Sequence, residues 1–368
     1  MTEVAQLGSV FPSQVCSPTH VWFSGTRRAN GINQMQNFNS REVRLVSRPS
    51  GMPTASNFAV AHTTVEAPKE QEVVVRNLFM SVDPYMRGRM NEGKSYVPPF
   101  ELDKPLSGGA VGEVLESRAK EFKAGDVVTS SLGWREYFVA SAKELHLVSR
   151  EVQPLSVYLG VLGMTGMTAW AGLNLVNVKA GDVIFISGAA GAVGSVAGQL
   201  AKLRECRVIG SAGSEEKAKF LRNECQFDVA LNYRNAPIAE QLKIAAPDGI
   251  DVYFDNVGGE TLEAALSALR IHGRIIACGS ISSYNSDKRE AGPSNLFNVI
   301  AKRLTMKGLI VSDSLDRQGE FEKEVGGYFQ AGKLKNKETV VDGIEHAVDA
   351  FIGLFQGKNI GKMVVKLG

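Results

Sequence analysis

The chain has 368 residues, long for a single hydrophobic core and comfortable for two domains. Its 22% charged and 44% apolar content is ordinary for a globular protein, and a formal net charge of +2 is too small for a nucleic-acid surface. No window supplies the ~18 uninterrupted apolar residues of a membrane helix, and Cys16, Cys206, Cys225 and Cys278 form no C-x-x-C pair, which suits reduced thiols in a cytoplasmic enzyme better than a disulfide framework.

Residues 1–40 are rich in Ser, Asn and Gln, contain one acid (Glu3), and carry Arg27-Arg28 with no apolar signal core. They read as a poorly structured extension, with a mitochondrial-type presequence or an expression leader as alternatives of the same composition. From 42 to 149 the pattern is short strands and turns. Strands are expected over 43–46, 72–82, 110–115, 126–132, 136–139 and 145–148, punctuated by Gly108-Gly109, Lys123-Ala-Gly125-Asp126 and Gly133. This predicts a mostly antiparallel barrel or sandwich of about a hundred residues. Residues 155–175, with Gly160, Gly163, Gly166 and Trp170 among small and apolar neighbours, read as a helix leading out of it.

The stretch 182–203, DVIFISGAAGAVGSVAGQLAKL, organises the second half of the chain. Residues 183–187 are a β-branched and aromatic run long enough for one buried strand. Gly188, Gly191 and Gly194 come next, and 195–203 reads as a helix with small residues on its inner face. Strand, glycine turn and helix in that order make a dinucleotide-binding crossover. Ala189-x-Gly191-x-x-Gly194 replaces the usual G-x-G-x-x-G, so the first position of that turn must keep a conformation that alanine tolerates. Gly191 lets the backbone approach a pyrophosphate and Gly194 lets the helix pack close to the strand, while free N–H groups at the helix start face the phosphates. The competing reading is a glycine-rich turn in some other α/β fold.

Strands and helices then alternate: strands at 207–210, 228–231, 251–254, 274–278 and 306–311, helices at 215–224 and 238–245. Such alternation is the doubly wound pattern, whose ligands sit outside the carboxyl ends of the strands. Helices at 317–331 and 343–356 close the chain, and 362–366 is a final strand able to return to the barrel.

A dinucleotide site selective for NAD usually offers a carboxylate about 20 residues past the glycines. Here that place reads Ile209-Gly-Ser-Ala-Gly-Ser214, with no acid until Glu215, Lys217 soon after, and Tyr233 beyond the third strand. A missing carboxylate beside a cation favours the extra phosphate of NADP(H). The alternative for Lys217 is a solvated lysine in a first helical turn, a place where cations are disfavoured unless an anion is bound. A catalytic zinc needs three side-chain ligands, yet His20, His62, His146, His272 and His346 stand apart from one another and from the cysteines, and G-x-S-x-G does not occur. No metal site is expected. Cys278 and His272 read as core or turn residues, and Met90, Trp134 and Met164 as core. Arg87 and Arg89 read as structural or surface cations, with a grip on a substrate carboxylate as the alternative.

The barrel, the Ala-Ala-Gly-Ala-Val-Gly turn and the absent zinc ligands resemble the medium-chain dehydrogenase/reductase superfamily. Five further stretches are more specific: Ser81-Val-Asp-Pro-Tyr-Met-Arg87, Ala212-Gly-Ser-Glu-Glu-Lys217, Phe254-Asp-Asn-Val-Gly-Gly259, Cys278-Gly-Ser-Ile-Ser-Ser-Tyr284-Asn285 and Gly357-Lys-Asn-Ile-Gly-Lys362. Together they resemble the zinc-independent double-bond reductases, a group that includes prostaglandin, plant alkenal and bacterial curcumin reductases. Residues 93–99 and 351–359 lean towards the curcumin-reductase branch. The likeness runs from about residue 41 to the C-terminus.

The resemblance implies an α/β protein: a doubly wound parallel Rossmann sheet (156–324) plus a GroES-like antiparallel β-barrel substrate domain (41–155 with 325–368). It implies NADPH-dependent hydride transfer to the β-carbon of a small apolar enone. Carried over, Gly191, Ala192, Val193 and Gly194 would hold the pyrophosphate, and Lys217 and Tyr233 the adenosine 2′-phosphate side. Asn256, Cys278, Gly279, Ile281, Ser282, Tyr284, Leu309, Val311 and Asn359 would line the nicotinamide half. Hydride addition turns a conjugated carbonyl into an enolate, so a phenol or ribose hydroxyl aimed at that oxygen favours the transition state. Tyr85 and Tyr284 are the candidate catalytic phenols, against the plainer readings of a packed aromatic beside Pro84 and a half-buried loop tyrosine. A homodimer through the edge strand 304–311, apolar apart from Lys307, is also expected. Competing functions are zinc-independent alcohol–carbonyl oxidoreduction and a non-enzymatic NADPH-binding role.

Overall fold

The computed structural model describes residues 37–287 and 291–368. The leader readings of residues 1–36, with Cys16, His20 and Arg27-Arg28, lie outside the described residues. The chain runs β1 (Phe38–Leu45), β2 (Phe58–Val65), β3 (Glu72–Ser81), α1 (Met86–Arg89), β4 (Ala110–Ser117), β5 (Val127–Ser130), β6 (Tyr137–Ser141) and β7 (His146–Val148). There follow α2 (Met164–Leu175), β8 (Val183–Ile186), α3 (Ala192–Leu203), β9 (Arg207–Ala212), α4 (Glu215–Asn223), β10 (Val229–Asn232), α5 (Ile238–Ala245) and β11 (Ile250–Asp255). The remainder is α6 (Gly259–Ala268), β12 (Leu269–Ala277), α7 (Phe297–Ala301), β13 (Thr305–Gly308), α8 (Gln318–Phe321), α9 (Gly327–Gln330), β14 (Glu338–Asp342), α10 (Ala347–Phe355) and β15 (Lys362–Lys366).

Six parallel strands form one sheet in the order β10-β9-β8-β11-β12-β13. That order reverses between β8 and β11, the switch point of a doubly wound fold. Both faces are covered, which is why its strands read as unbroken apolar runs rather than alternating ones. Ile184 and Ile186 join Val252 and Phe254 in one core, while Phe185 meets Ile209, Tyr253 and Ile275 in the other. Phe185 stacks on Tyr253 with ring centroids 5.2 Å apart.

The second sheet is mostly antiparallel, in the order β14-β15-β3-β4-β5-β7, with β6 also pairing with β3. Only β14 and β15 run parallel within it. Its core gathers Met80, Met86, Met90, Trp134 and Phe351, all fully buried. The α/β class and the pairing of a Rossmann-like sheet with a separate antiparallel sheet are those expected from the sequence.

Several elements differ from the sequence reading. β1 begins at Phe38, inside the stretch read as an extension, because Phe38 stacks on Tyr137 at 5.5 Å and Tyr137 N donates to Ser40 Oγ. β2 and β14 were not expected from the sequence: half of β2's positions are exposed and β14 is a short strand, so neither shows a clear alternation. The helix expected over 155–175 is a 3₁₀ turn (Leu155–Leu159), a break, and α2, since Gly160 leaves helical geometry at φ −116°, ψ −112°. The helix expected over 317–331 is α8 and α9 joined by a π-helical stretch, Glu322–Gly326. The strand expected over 306–311 ends at Gly308, and Val311 opens a 3₁₀ turn instead. Met164, expected in the core, is 41% exposed at the start of α2.

Candidate active site

The turn after β8 is built from the glycine spacing. Gly188 takes the left-handed conformation (φ +57°), one residue ahead of Ala189, so alanine carries no strain there. Ala189 is fully buried, and its N–H donates to Ser211 O at 2.9 Å. Gly191 is the N-cap of α3, placing Ala192, Val193 and Gly194 in its first turn with their N–H groups available to an anion. A Cβ on Gly194 would lie 2.6 Å from Gly188 O and 2.7 Å from Ala189 Cα, so only glycine allows this approach of helix to turn. This cradle fits a pyrophosphate.

Beside the end of β9, Ser214 caps α4, accepting from Lys217 N at 3.2 Å. Lys217 Nζ donates to Gly357 O at 2.8 Å. Burial holds the Lys217 pKa below its usual value, and the charge of Arg234 lowers it further. Two cations thus crowd one corner with Tyr233, whose hydroxyl fills the place a Cβ on Gly213 would need. Such a corner suits a dianionic phosphate. Arg234 is a member that sequence reasoning missed, although it directly follows Tyr233.

At the switch point Ser187 closes β8 and Asp255 closes β11. Asp255 Oδ1 accepts from Tyr253 OH at 2.7 Å, Val257 N at 3.0 Å and Gly258 N at 2.8 Å. Asn256 donates through Nδ2 to Ser187 O at 2.8 Å, and its N–H to Ser187 Oγ at 3.0 Å. The segment after β12 is tied to the same place: Cys278 N and Gly279 N both donate to Asp255 O, Ile281 N to Asn256 O, and Ser282 Oγ to Val257 O at 2.6 Å. Asn256, Cys278, Gly279, Ile281, Ser282 and Tyr284 are therefore brought together. Leu309 and Val311 sit differently: Leu309 is buried in the core against Gly172, and Val311 packs partly buried beside it. Asn359 lies on the other side of the phosphate turn, its Nδ2 donating to Gly361 O at 2.8 Å.

Tyr284 caps a short 3₁₀ turn (Ile281–Ser283), and its hydroxyl oxygen accepts from Ser280 N at 3.3 Å. Burial raises its pKa. Tyr85 is the N-cap of α1, and the charge of the Arg89 guanidinium four residues on acts on its hydroxyl. Burial, and then the charge of Asp83, push the Tyr85 pKa well up. Each phenol stays protonated at neutral pH, which leaves its own O–H for another acceptor, and the Tyr284 oxygen also accepts from Ser280 N. Tyr96, 64% exposed, interacts electrostatically with Tyr284, Cys278 and Arg89. Sequence reasoning missed it as a site residue, although it lies within 93–99, one of the segments that carry the family resemblance.

Arg87 is structural: it donates to Gly51 O, Pro49 O, Asn91 Oδ1 and Asn285 Oδ1. It thereby links the segment following Tyr284 to the loop 49–51. A cavity of about 560 Å³ opens here, lined by Arg48, Ser50, Arg87, Tyr284 and Asp287 among others. Among the described residues no group of three or more His, Cys, Asp and Glu is placed to hold a metal ion.

Comparison with known proteins agrees with this architecture. Residues 41–148 match the family described as the N-terminal domain of oxidoreductase, and residues 192–326 match the family described as zinc-binding dehydrogenase. The chain is 39% identical to the NADPH-dependent curcumin reductase of Escherichia coli, over 91% of this chain and 99% of that protein. It is 42% identical to a 2-alkenal reductase (NADP(+)-dependent) of Nicotiana tabacum, over 89% of this chain and 97% of that one. The crystal structure of CurA from Vibrio vulnificus in complex with NADPH superimposes with a TM-score of 0.85 at 40% identity, covering 89% of this chain and 99% of that one. The chain belongs to the medium-chain dehydrogenase/reductase superfamily, in its zinc-independent double-bond reductase group. No helix among the described residues is long and apolar enough to cross a membrane.

The site's thiol yields a first prediction. Burial, then the charge of Asp255, push the Cys278 pKa up to about 12, so the reactive thiolate is scarce at neutral pH. Iodoacetamide at pH 8, followed by peptide mass mapping, should label Cys278 at least about tenfold more slowly in the native protein than after unfolding. Equal rates would show that the thiol is neither shielded nor shifted.

Proposed function

We propose that this chain uses NADPH to reduce the carbon–carbon double bond of α,β-unsaturated ketones and aldehydes. The reading rests on one coincidence. Two un-ionised phenols flank a dinucleotide-binding switch point, in a chain whose curcumin- and alkenal-reducing relatives match it over nearly their whole length. NADPH, when bound, supplies a hydride to the substrate's β-carbon. The π electrons then move onto the carbonyl oxygen, and the α-carbon takes up a proton. Gly191 to Gly194 hold the pyrophosphate; Lys217 and Tyr233 hold the 2′-phosphate side. Asn256, Cys278, Gly279, Ile281, Ser282, Leu309, Val311 and Asn359 shape the nicotinamide half. Tyr85 and Tyr284 donate to the oxygen as charge develops there, an interaction stronger in the transition state than in the ground state. The barrel, residues 41–155 with 325–368, supplies the substrate side, and residues 156–324 supply the dinucleotide side.

The decisive assay follows absorbance at 340 nm, with NADPH or NADH offered against a conjugated enone or its saturated ketone. Oxidation confined to NADPH plus enone is expected. Turnover of the saturated ketone would transfer the case to carbonyl reduction and remove the roles given to Tyr85 and Tyr284. In the same assay Lys217→Ala should raise the NADPH KM roughly 10- to 100-fold, the worth of a hydrogen-bonded charge, while leaving that for NADH nearly unchanged. An equal effect on both cofactors would remove Lys217 from the phosphate corner.

Two coarser features complete the reading. Free Cys206, Cys225 and Cys278 support a cytoplasmic enzyme, and recovery of the protein from an exported or organellar fraction would contradict it. β13 is the edge of the parallel sheet, with Met306 exposed on it and Phe297 and Ile300 on α7 about 72% and 71% exposed. An apolar surface beside an open strand edge supports a homodimer formed there. Sedimentation velocity should show a dimer that Phe297→Glu/Ile300→Glu converts to monomer; a monomeric wild-type profile would sink the proposal.

A further inference from the structure

Lys362 is the first residue of β15, and only 3% of it is exposed. A lysine is rarely buried to that degree unless something holds its charge. Its Nζ donates to Asp83 Oδ1 at 2.9 Å and to Val82 O at 3.0 Å. Asp83 is equally buried, and its other carboxylate oxygen accepts from Ser81 Oγ. The pair therefore joins two chain segments 279 positions apart at a place with little water.

The neighbours at either end give the pair its meaning. On one side, Asp83 O accepts from Met86 N at 3.1 Å, so Asp83 opens the turn Asp83-Pro84-Tyr85 that leads into α1. On the other side, Gly361 forms a bridge with Gly191, its N–H donating to Ala190 O at 2.8 Å. Lys362 N donates to Lys337 O, which anchors that residue from a third direction. The phosphate turn, Gly361, Lys362, Asp83 and Tyr85 thus form one continuous linkage of main chain, hydrogen bonds and an ion pair. As stabilisation alone, a buried ion pair is a poor device, because its desolvation offsets most of the Coulomb attraction. Its distinctive property is directional: it tolerates few geometries.

We propose that the Lys362–Asp83 pair is a positioning device that fixes where the Tyr85 phenol stands relative to the phosphate turn. This rests on the double-bond reductase reading above and adds Lys362, Asp83 and Ser81 to it as positioning residues. Lys362 also places a positive charge against Asp83, whose carboxylate otherwise works against any anionic character near Tyr85.

The test is a double-mutant cycle. Lys362→Met alone strands a buried carboxylate and risks unfolding, so the pair is replaced together as Asp83→Asn/Lys362→Gln, with Ser81→Ala as a milder second variant. In Asp83→Asn/Lys362→Gln, kcat for enone reduction should fall roughly 10- to 100-fold, the scale of a misplaced reacting group. NADPH affinity by fluorescence titration should stay within about threefold, and in a Tyr85→Phe background the same changes should alter kcat by less than about threefold, as coupled residues require. Ser81→Ala should show a smaller fall with the same dependence on Tyr85. Nitration of Tyr85, mapped by mass spectrometry, should accelerate in both variants and needs no turnover to read. An unchanged kcat with unchanged nitration, or an equal fall in kcat in the Tyr85→Phe background, would overturn the proposal and leave the pair purely structural. Absence of enone turnover in the wild type, with nitration still responding to the variants, would overturn the assigned reaction instead of the positioning.

Discussion

Asp255 buries a carboxylate where the strand order of the parallel sheet reverses, and four donors converge on one of its oxygens, the longest from Ser187 Oγ. A buried charge is costly unless hydrogen bonds replace the water it has lost. Here that replacement fixes the local backbone: Val257 and Gly258 must turn back over the carboxylate, and Asn256 is left facing Ser187. Cys278 and Gly279 then attach to the Asp255 carbonyl, bringing the segment that ends in Tyr284 to the mouth of the switch point. Satisfying one group thus sets the ends of β8, β11 and β12 together. A loosely held site on mobile loops would lack this preorganisation.

The cleft has a second wall, and its chemistry differs. The barrel side presents Tyr85 from a single helical turn, clamped by Arg89 and Arg87. Arg89 is itself held by Pro98 O at 2.9 Å and Ser107 Oγ at 2.8 Å while lying 4.0 Å over the Phe100 ring. Few of these contacts are apolar. Directional polar contacts place the phenols, and broad apolar packing supports the two sheets behind them. Burial raises the pKa of both tyrosines, a common outcome reached from opposite sides.

The parts legible in the sequence are those whose information is local. Residues 183–194 encode a strand, a left-handed glycine and a close helix approach within a dozen positions, so the dinucleotide turn can be read directly. The missing carboxylate after β9 carries the cofactor choice in the same way, and NADP(H) is the cofactor of the relatives. The features that escape depend on distant partners. Nothing near Lys362 announces that its charge is buried, because Asp83 lies in another part of the chain. Arg234 and Tyr96 are easily passed over because a charged and an aromatic residue in loops are usually just solvated. Met164 shows the opposite failure: a methionine in an apolar stretch reads as core, yet the glycine break ahead of α2 turns it outward. The helix boundaries at 155–175 and 317–331 fail because glycines and a π-helical stretch interrupt patterns that look continuous in one dimension.

β15 has a further consequence, for the order in which the protein takes shape. It lies between β14 and β3, pairing Val364 with Ser81 and Val340 with Val364. The sheet that carries the Tyr85 turn therefore cannot close until the ribosome has passed Lys366. Pairings of such sequence separation are slow to form, since the loop entropy must be lost before the contact rewards it. During synthesis, β3 to β7 wait with one open edge while the whole nucleotide-binding segment emerges and folds. The phosphate turn can form early from its own residues, but its tie to Gly361 and the link from Lys217 to Gly357 are made only with the last strand, so both walls of the cleft are finished together.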